Sequence, residues 1–114
     1  MDLDPVLAHI DADLPNALDR LLDLLRIQSI STDPAFAKEC DKAADWLVDD
    51  LKTMGVVASK RKTPKHPMVV GHAEGDGTHV MFYGHYDVQP VDPLELWNSD
   101  PFAPAVEDTP KQKI

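Results

Sequence analysis

The stretch AADWLVDDLKTMGVVAS, residues 43–59, changes its hydrophobic period partway through, and that change sets the fold class. Ala43, Ala44, Leu47, Val48, Leu51 and Met54 recur at three- and four-residue spacing and mark one face of an amphipathic helix, with Trp46 beside it. Gly55 stands where a helix ends on a left-handed residue, and Val56, Val57 and Ala58 then read as a short strand rich in β-branched residues.

Working outward, the helix is predicted over residues 35–54. Upstream, Leu18, Leu21, Leu22 and Leu25 fall at i, i+3, i+4 and i+7, which predicts another amphipathic helix. Its start lies near Pro15 or reaches back irregularly toward Pro5, and the polar stretch 29–34, ending in Asp33-Pro34, breaks the pattern. Downstream, a basic turn around Pro64 separates the first strand from a second at 68–73. Gly75-Asp76-Gly77 is turn chemistry, and the mostly apolar run 79–84 reads as the partner of that second strand across the turn, a third and central strand. Two helices followed by about three strands describe the beginning of an α/β sheet.

With 114 residues, 43% of them hydrophobic, the chain makes about one small domain with a modest core. A formal net charge of −9 argues against a phosphate-binding surface, so nucleic acid is not an expected partner. No apolar stretch approaches the ~20 residues that span a bilayer, and Met-Asp-Leu-Asp-Pro has neither the basic start nor the apolar centre of a signal peptide. The expected location is the cytoplasm. Cys40, the single cysteine, has no internal disulfide partner and reads as a semi-buried helix residue. The tail at 109–114 carries neither helix nor motif, and the chain is expected to be cut there rather than finished.

At the end of the third predicted strand stands Tyr83-Gly84-His85-Tyr86-Asp87. In extended chain, residues two apart share a face, so His85 and Asp87 project together beyond the strand end. A neutral imidazole offers one nitrogen to a metal while a carboxylate on the other nitrogen fixes the tautomer, and the C-terminal edge of an α/β sheet is where ligands bind. The plainer reading is that both residues cap a loop through hydrogen bonds.

The wording around this pair decides between the two. Residues 82–97, FYGHYDVQPVDPLELW, with Asp100-Pro101-Phe102, closely resemble the M20 family of metallopeptidases, in particular its dipeptidase, carnosinase-like branch. The likeness extends upstream through Leu25-Arg26-Ile27-Gln28-Ser29-Ile30-Ser31, the helix around Trp46, and Gly55, so it covers essentially the whole chain. The resemblance implies a three-layer α/β/α zinc-peptidase-like catalytic domain, of which residues 1–114 form the N-terminal portion. It implies that His85 is a terminal ligand of one of two divalent metal ions, zinc with cobalt or manganese as substitutes, and that Asp87 is the catalytic aspartate holding it. The implied chemistry is hydrolysis of a peptide or amide bond in a dipeptide or an N-acyl amino acid. The complete enzyme is expected to be a homodimer.

The family's bridging aspartate, paired glutamates, further carboxylate and distant histidine would all follow Ile114, as would its dimerisation domain. One ligand does not make a metal site, which takes three or four protein donors, so the chain is expected to be inactive alone. The alternative is a non-catalytic module that pairs through an exposed sheet edge; exposed apolar layers predict self-association in either case.

Other polar candidates take plain readings. His9, His66, His72 and His79 are placed in a helix approach, a Pro-flanked loop and two strands, with His72 and His79 facing across the glycine turn. Lys60, Arg61, Lys62 and Lys65 read as a solvated loop. Asp92 and Glu95 flank Pro93, which starts a short helical stretch through Trp97, and they read as solvent-facing or capping groups. Trp97 and Phe102 line a pocket or anchor the motif loop, and their bulk favours anchoring.

Overall fold

A computed structural model describes residues 2–107; the reading of the 109–114 tail lies outside them. Helix α1 spans Asp4–Leu25, a short 3-10 turn Pro34–Phe36 leads into helix α2, Ala37–Thr53, and two strands follow, β1 at Val57–Arg61 and β2 at Met68–His72. A second 3-10 turn occupies Leu94–Leu96, where the Pro93 turn was expected to become helical.

The helix-to-strand switch forms as the sequence predicts. Gly55 takes φ +79°, the left-handed conformation that glycine adopts without a Cβ penalty. Its N–H donates to the Lys52 carbonyl at 3.0 Å while the Val56 N–H donates to that of Leu51 at 3.1 Å. These two bonds satisfy carbonyls that the helix end would leave orphaned. At the other end, Asp33 accepts from the Ala35 N–H at 2.9 Å, and Pro34 enters the turn with its missing donor already unneeded.

β1 and β2 pair antiparallel with Val57 opposite His72 and Arg61 opposite Met68. α2 packs on this pair through Cys40, Ala43, Ala44 and Val48, all buried, and Ile27 and Ile30 from the segment after α1 complete the core. Small side chains let the helix sit close to the strands. A Cβ placed on Gly71 of β2 would lie 2.9 Å from Cγ1 of Val56, the residue before β1, and 3.4 Å from Leu51 Cδ1 of α2, so glycine suits this packing. Cys40 is more deeply buried than its sequence suggests, with no exposed surface. Burial foremost, and the nearby Asp87 carboxylate next, push its thiol pKa up. Cys40 is therefore a protonated thiol at neutral pH. It should resist a thiol reagent in the folded chain and react fully once urea unfolds it; rapid native labelling would contradict this burial.

Three expectations change. α1 starts at Asp4, the longer of the two alternatives, with Pro5 in its first turn, His9 within it, and Pro15 inside at the cost of one backbone bond. The third strand does not form: among the described residues, none of 79–84 belongs to a strand, and Val80, Met81, Phe82 and Tyr83 stand 63–93% exposed. A central strand is held by ladders on both edges and layers on both faces, and the described residues supply neither. His79 is thus not in a strand, although its ring still meets that of His72 edge-on at 5.4 Å. Lastly, Lys60 is not a solvated loop residue. It lies in β1 and reaches Asp45 at 2.7 Å and Asp41 at 2.9 Å, one helical turn apart on α2. Both hydrogen bonds raise its pKa.

The chain is thin and spread out. Its extents are 49 × 45 × 19 Å and its radius of gyration is 17.0 Å, against about 13 Å for a compact chain of this length. Its accessible surface of 9760 Å² compares with about 6200 Å² for a compact protein of this mass. The excess is apolar in part: Leu7, Ile10, Leu14, Leu18 and Leu21 form a continuous exposed face on α1. A two-pronged ion pair, Arg20 Nε to Asp50 Oδ1 at 2.7 Å and Nη2 to Oδ2 at 2.9 Å, ties that helix to α2.

Candidate metal-ligand site

Three segments distant in sequence meet around residues 85–88. The first is 29–31, which runs parallel to the motif with a bridge between Ile30 and Val88. The Ser29 carbonyl accepts from the Val88 N–H at 3.0 Å, and the buried Ser29 hydroxyl donates to the Tyr86 carbonyl at 2.9 Å. The second is the β1–β2 connection, where the Tyr86 hydroxyl donates to the Pro67 carbonyl and His66 Nε2 donates to the Ser31 carbonyl at 2.7 Å. A carbonyl has no proton to give, so His66 carries one on Nε2. The third is the motif itself.

Within that frame His85 and Asp87 come together as the spacing predicts. His85 Nδ1 faces Asp87 Oδ1 at 3.5 Å, and its side chain is 73% exposed. Nε2 lies 3.4 Å from the Tyr83 hydroxyl, with the two rings edge-on. Asp87 Oδ2 accepts from the Ser31 hydroxyl at 2.6 Å, a short bond of the kind an ionised acceptor makes. That bond, ahead of the neighbouring His85, lowers the Asp87 pKa against the opposing effect of burial. The carboxylate's stabilising contribution is therefore present above the ordinary aspartate pKa and lost as pH falls through the lowered one.

The arrangement suits a metal in one respect. A carboxylate on Nδ1 leaves Nε2 as the lone-pair nitrogen of an exposed imidazole, as a ligating histidine requires, with the Tyr83 hydroxyl as its neighbour at 3.4 Å. The remaining donors are not at hand: among the described residues no group of three or more His, Cys, Asp or Glu side chains could hold a metal ion. His72 pairs with Glu74 at 3.4 Å and His66 is engaged with Ser31, so neither joins His85.

Beside the motif, Gln28, Ile30, Phe36, Val91, Trp97 and Phe102 line an open cleft of about 460 Å³. Trp97 also donates Nε1–H to the Val91 carbonyl at 2.9 Å, which folds residues 91–97 back on themselves. Of the two roles considered for this aromatic pair, lining the cleft is the one seen; Trp97 is 52% exposed and is not buried as an anchor to the core. Asp92 and Glu95 are absent from the lining of this cleft.

Sequence reasoning missed the serines and His66. Ser29-Ile30-Ser31 reads as a helix breaker, yet its period of two is that of extended chain, with both hydroxyls on one side and Ile30 buried on the other. That alternation, opposite a His-x-Asp of the same period, was the available signal.

No family model matches the chain. It is 30% identical to the Cys-Gly metallodipeptidase DUG1 of Candida albicans over 90% of its own length and 24% of that protein's. It is 31% identical to the succinyl-diaminopimelate desuccinylase of Nautilia profundicola, over 82% of this chain and 23% of the relative. Among solved structures, the di-peptidase Dug1p of Saccharomyces cerevisiae superposes with a TM-score of 0.83 over 93% of this chain and 25% of that one, at 23% identity. The chain spans about a quarter of the length of the relatives it matches.

Proposed function

We propose, for a chain that is a relative of the M20 metallodipeptidases, that it supplies part of the active site of a metal-dependent hydrolase acting on dipeptides or N-acyl amino acids. The observation that carries this reading is the His85–Asp87 contact, which leaves Nε2 with only a long 3.4 Å contact to the Tyr83 hydroxyl, on a chain that superposes on a di-peptidase along nearly all its length. In this reading His85 is a terminal ligand of one of two divalent ions, zinc with cobalt or manganese as substitutes. The ions, when bound, polarise the scissile carbonyl and lower the pKa of the attacking water. Asp87 is the catalytic aspartate, and its task here is to hold the Nδ1 proton so that Nε2 faces outward with its lone pair. Ser29 and the Ile30–Val88 bridge hold the motif backbone against the core.

Residues 1–114 are read as the N-terminal portion of the catalytic domain, with further donors and a dimerisation domain outside them; the whole enzyme is a cytoplasmic homodimer. No helix among the described residues is long and apolar enough to cross a membrane.

Zinc titration followed on the imidazole nitrogens of the 114-residue chain tests the assignment. The expected result is weak binding that shifts His85 Nε2 and is lost in His85→Ala. Unchanged binding in that variant sinks the ligand assignment, and hydrolysis of Cys-Gly by the chain alone would show that it needs no outside donors.

A second reading is favoured by the exposed apolar faces of α1 and of residues 80–83. Here the chain associates with itself, by apolar contact or through a sheet edge, without catalysis. Sedimentation velocity should then show an average mass that climbs with concentration; a monomer throughout a hundredfold range, roughly micromolar to sub-millimolar, rules this out.

A further inference from the structure

We propose that Ser31 is a positioning residue for the metal ligand. Its hydroxyl sets the rotation of the Asp87 carboxylate, and through that carboxylate the tautomer of His85. The proposal rests on the reading of His85 as a ligand through Nε2.

Three observations point to it. The two oxygens of Asp87 are divided between partners: Oδ1 faces His85 Nδ1 and Oδ2 accepts from Ser31. The terminal torsion of an aspartate is broad and soft, so a carboxylate touching only an exposed imidazole would swing freely. A single strong bond to Oδ2 removes that freedom and leaves Oδ1 aimed at Nδ1.

Ser31 is also not needed to hold the backbone of the motif. That is already done by the Ser29 hydroxyl, by the Ser29 carbonyl on the Val88 N–H, and by the Ile30–Val88 bridge. The bond from Ser31 goes to a side chain instead, and what it controls is the direction of that side chain. Ser31 is held in turn by His66, whose Nε2–H donates to the Ser31 carbonyl. The result is a relay of fixed groups, His66 to Ser31 to Asp87 to His85, in which the loop between β1 and β2 bears on the ligand from 19 residues upstream.

The experiment is nitrogen-detected NMR of the histidine imidazoles in the intact 114-residue chain, at a pH where His85 is neutral, with and without zinc. The unsubstituted chain should show His85 protonated on Nδ1. Ser31→Ala should move the population toward the Nε2–H form and weaken zinc binding at His85 by about 10-fold, the low end of what loss of such an outer partner costs. Ser31→Thr keeps a hydroxyl and should restore both. The amide spectrum of α2, β1 and β2 reports whether each variant is folded.

An unchanged tautomer in folded Ser31→Ala overturns the proposal, and so does an equal change in the Ala and Thr variants, which would mark a packing role. If Ser31→Ala does not fold, the unsubstituted chain still decides. Its Ser31 hydroxyl proton should be slow to exchange and coupled to the Asp87 carboxyl carbon, and absence of that coupling overturns the proposal. Zinc that leaves His85 undisturbed in the unsubstituted chain sinks the ligand reading instead, while the tautomer comparison continues to judge Ser31.

Discussion

Ala44→Asp should abolish the cooperative unfolding transition of the chain or lower its midpoint by more than about 12 °C. Ala44 has no exposed surface, and it lies on the α2 face that carries Cys40, Ala43 and Val48 against the strands. An aspartate there would enter an apolar face, and Lys60 of β1 is already shared between Asp41 and Asp45. An uncompensated buried charge costs about 3–5 kcal/mol. Compact domains of this length hold roughly 6–17 kcal/mol in all, and a chain exposing half again the expected surface sits at the low end of that range. The comparator is Lys42→Asp, which also adds negative charge to α2, at a side chain that is 64% exposed. It should leave the transition nearly in place. If Ala44→Asp melts within a few degrees of the unsubstituted chain, the α2 face is not what holds the fold together.

The legibility of this fold follows how local each interaction is. α2 and its glycine cap are written in consecutive residues, since the apolar period, Gly55 and the change to β-branched residues all act within one or two turns. The pairing of β1 with β2 was not legible, since the glycine turn at 75–77 pointed to residues 79–84 as the partner of β2. The third strand was not legible as absent, because its sequence, apolar from Val80 to Tyr83, is that of a strand, and nothing local says that no described strand will lie beside it. Lys60 shows the reverse case. A basic run reads as solvated until α2, fixed some fifteen residues earlier, places Asp41 and Asp45 one turn apart above it.

At the site, His85 and Asp87 were legible because both belong to one short run and share a face by period alone. Ser29, Ser31 and His66 were not, because the contacts Ser29–Tyr86, Ser31–Asp87 and His66–Ser31 span 57, 56 and 35 residues of sequence, and nothing local says which group will meet which. The resemblance to a family singled out His85 as the candidate ligand. The geometry is what shows how the rest of the chain holds it.

Ser29→Ala should therefore separate the backbone support of the motif from the side-chain support given by Ser31. Among the described residues Ser29 is the buried polar one, 2% exposed, and its hydroxyl is committed to the Tyr86 carbonyl. Removing it leaves that carbonyl facing the core without a partner, at a cost of about 1–3 kcal/mol. The loss falls on the contact between residues 29–31 and 86–88, so the Val88 amide, bonded to the Ser29 carbonyl, should exchange with solvent about 5–150-fold faster while the amides of α2 keep their protection. Ser31→Ala should leave Val88 protected, because its bond reaches a side chain and the ladder between the segments stays intact. Equal exchange at Val88 in both variants would mean that the two serines act as one support and that backbone and carboxylate are not held separately. Faster exchange in Ser29→Ala alone would mean that the chain uses a buried hydroxyl to place the motif and an outer one to aim it. Extended chain makes that division possible, since alternate residues reach the same neighbour two positions apart.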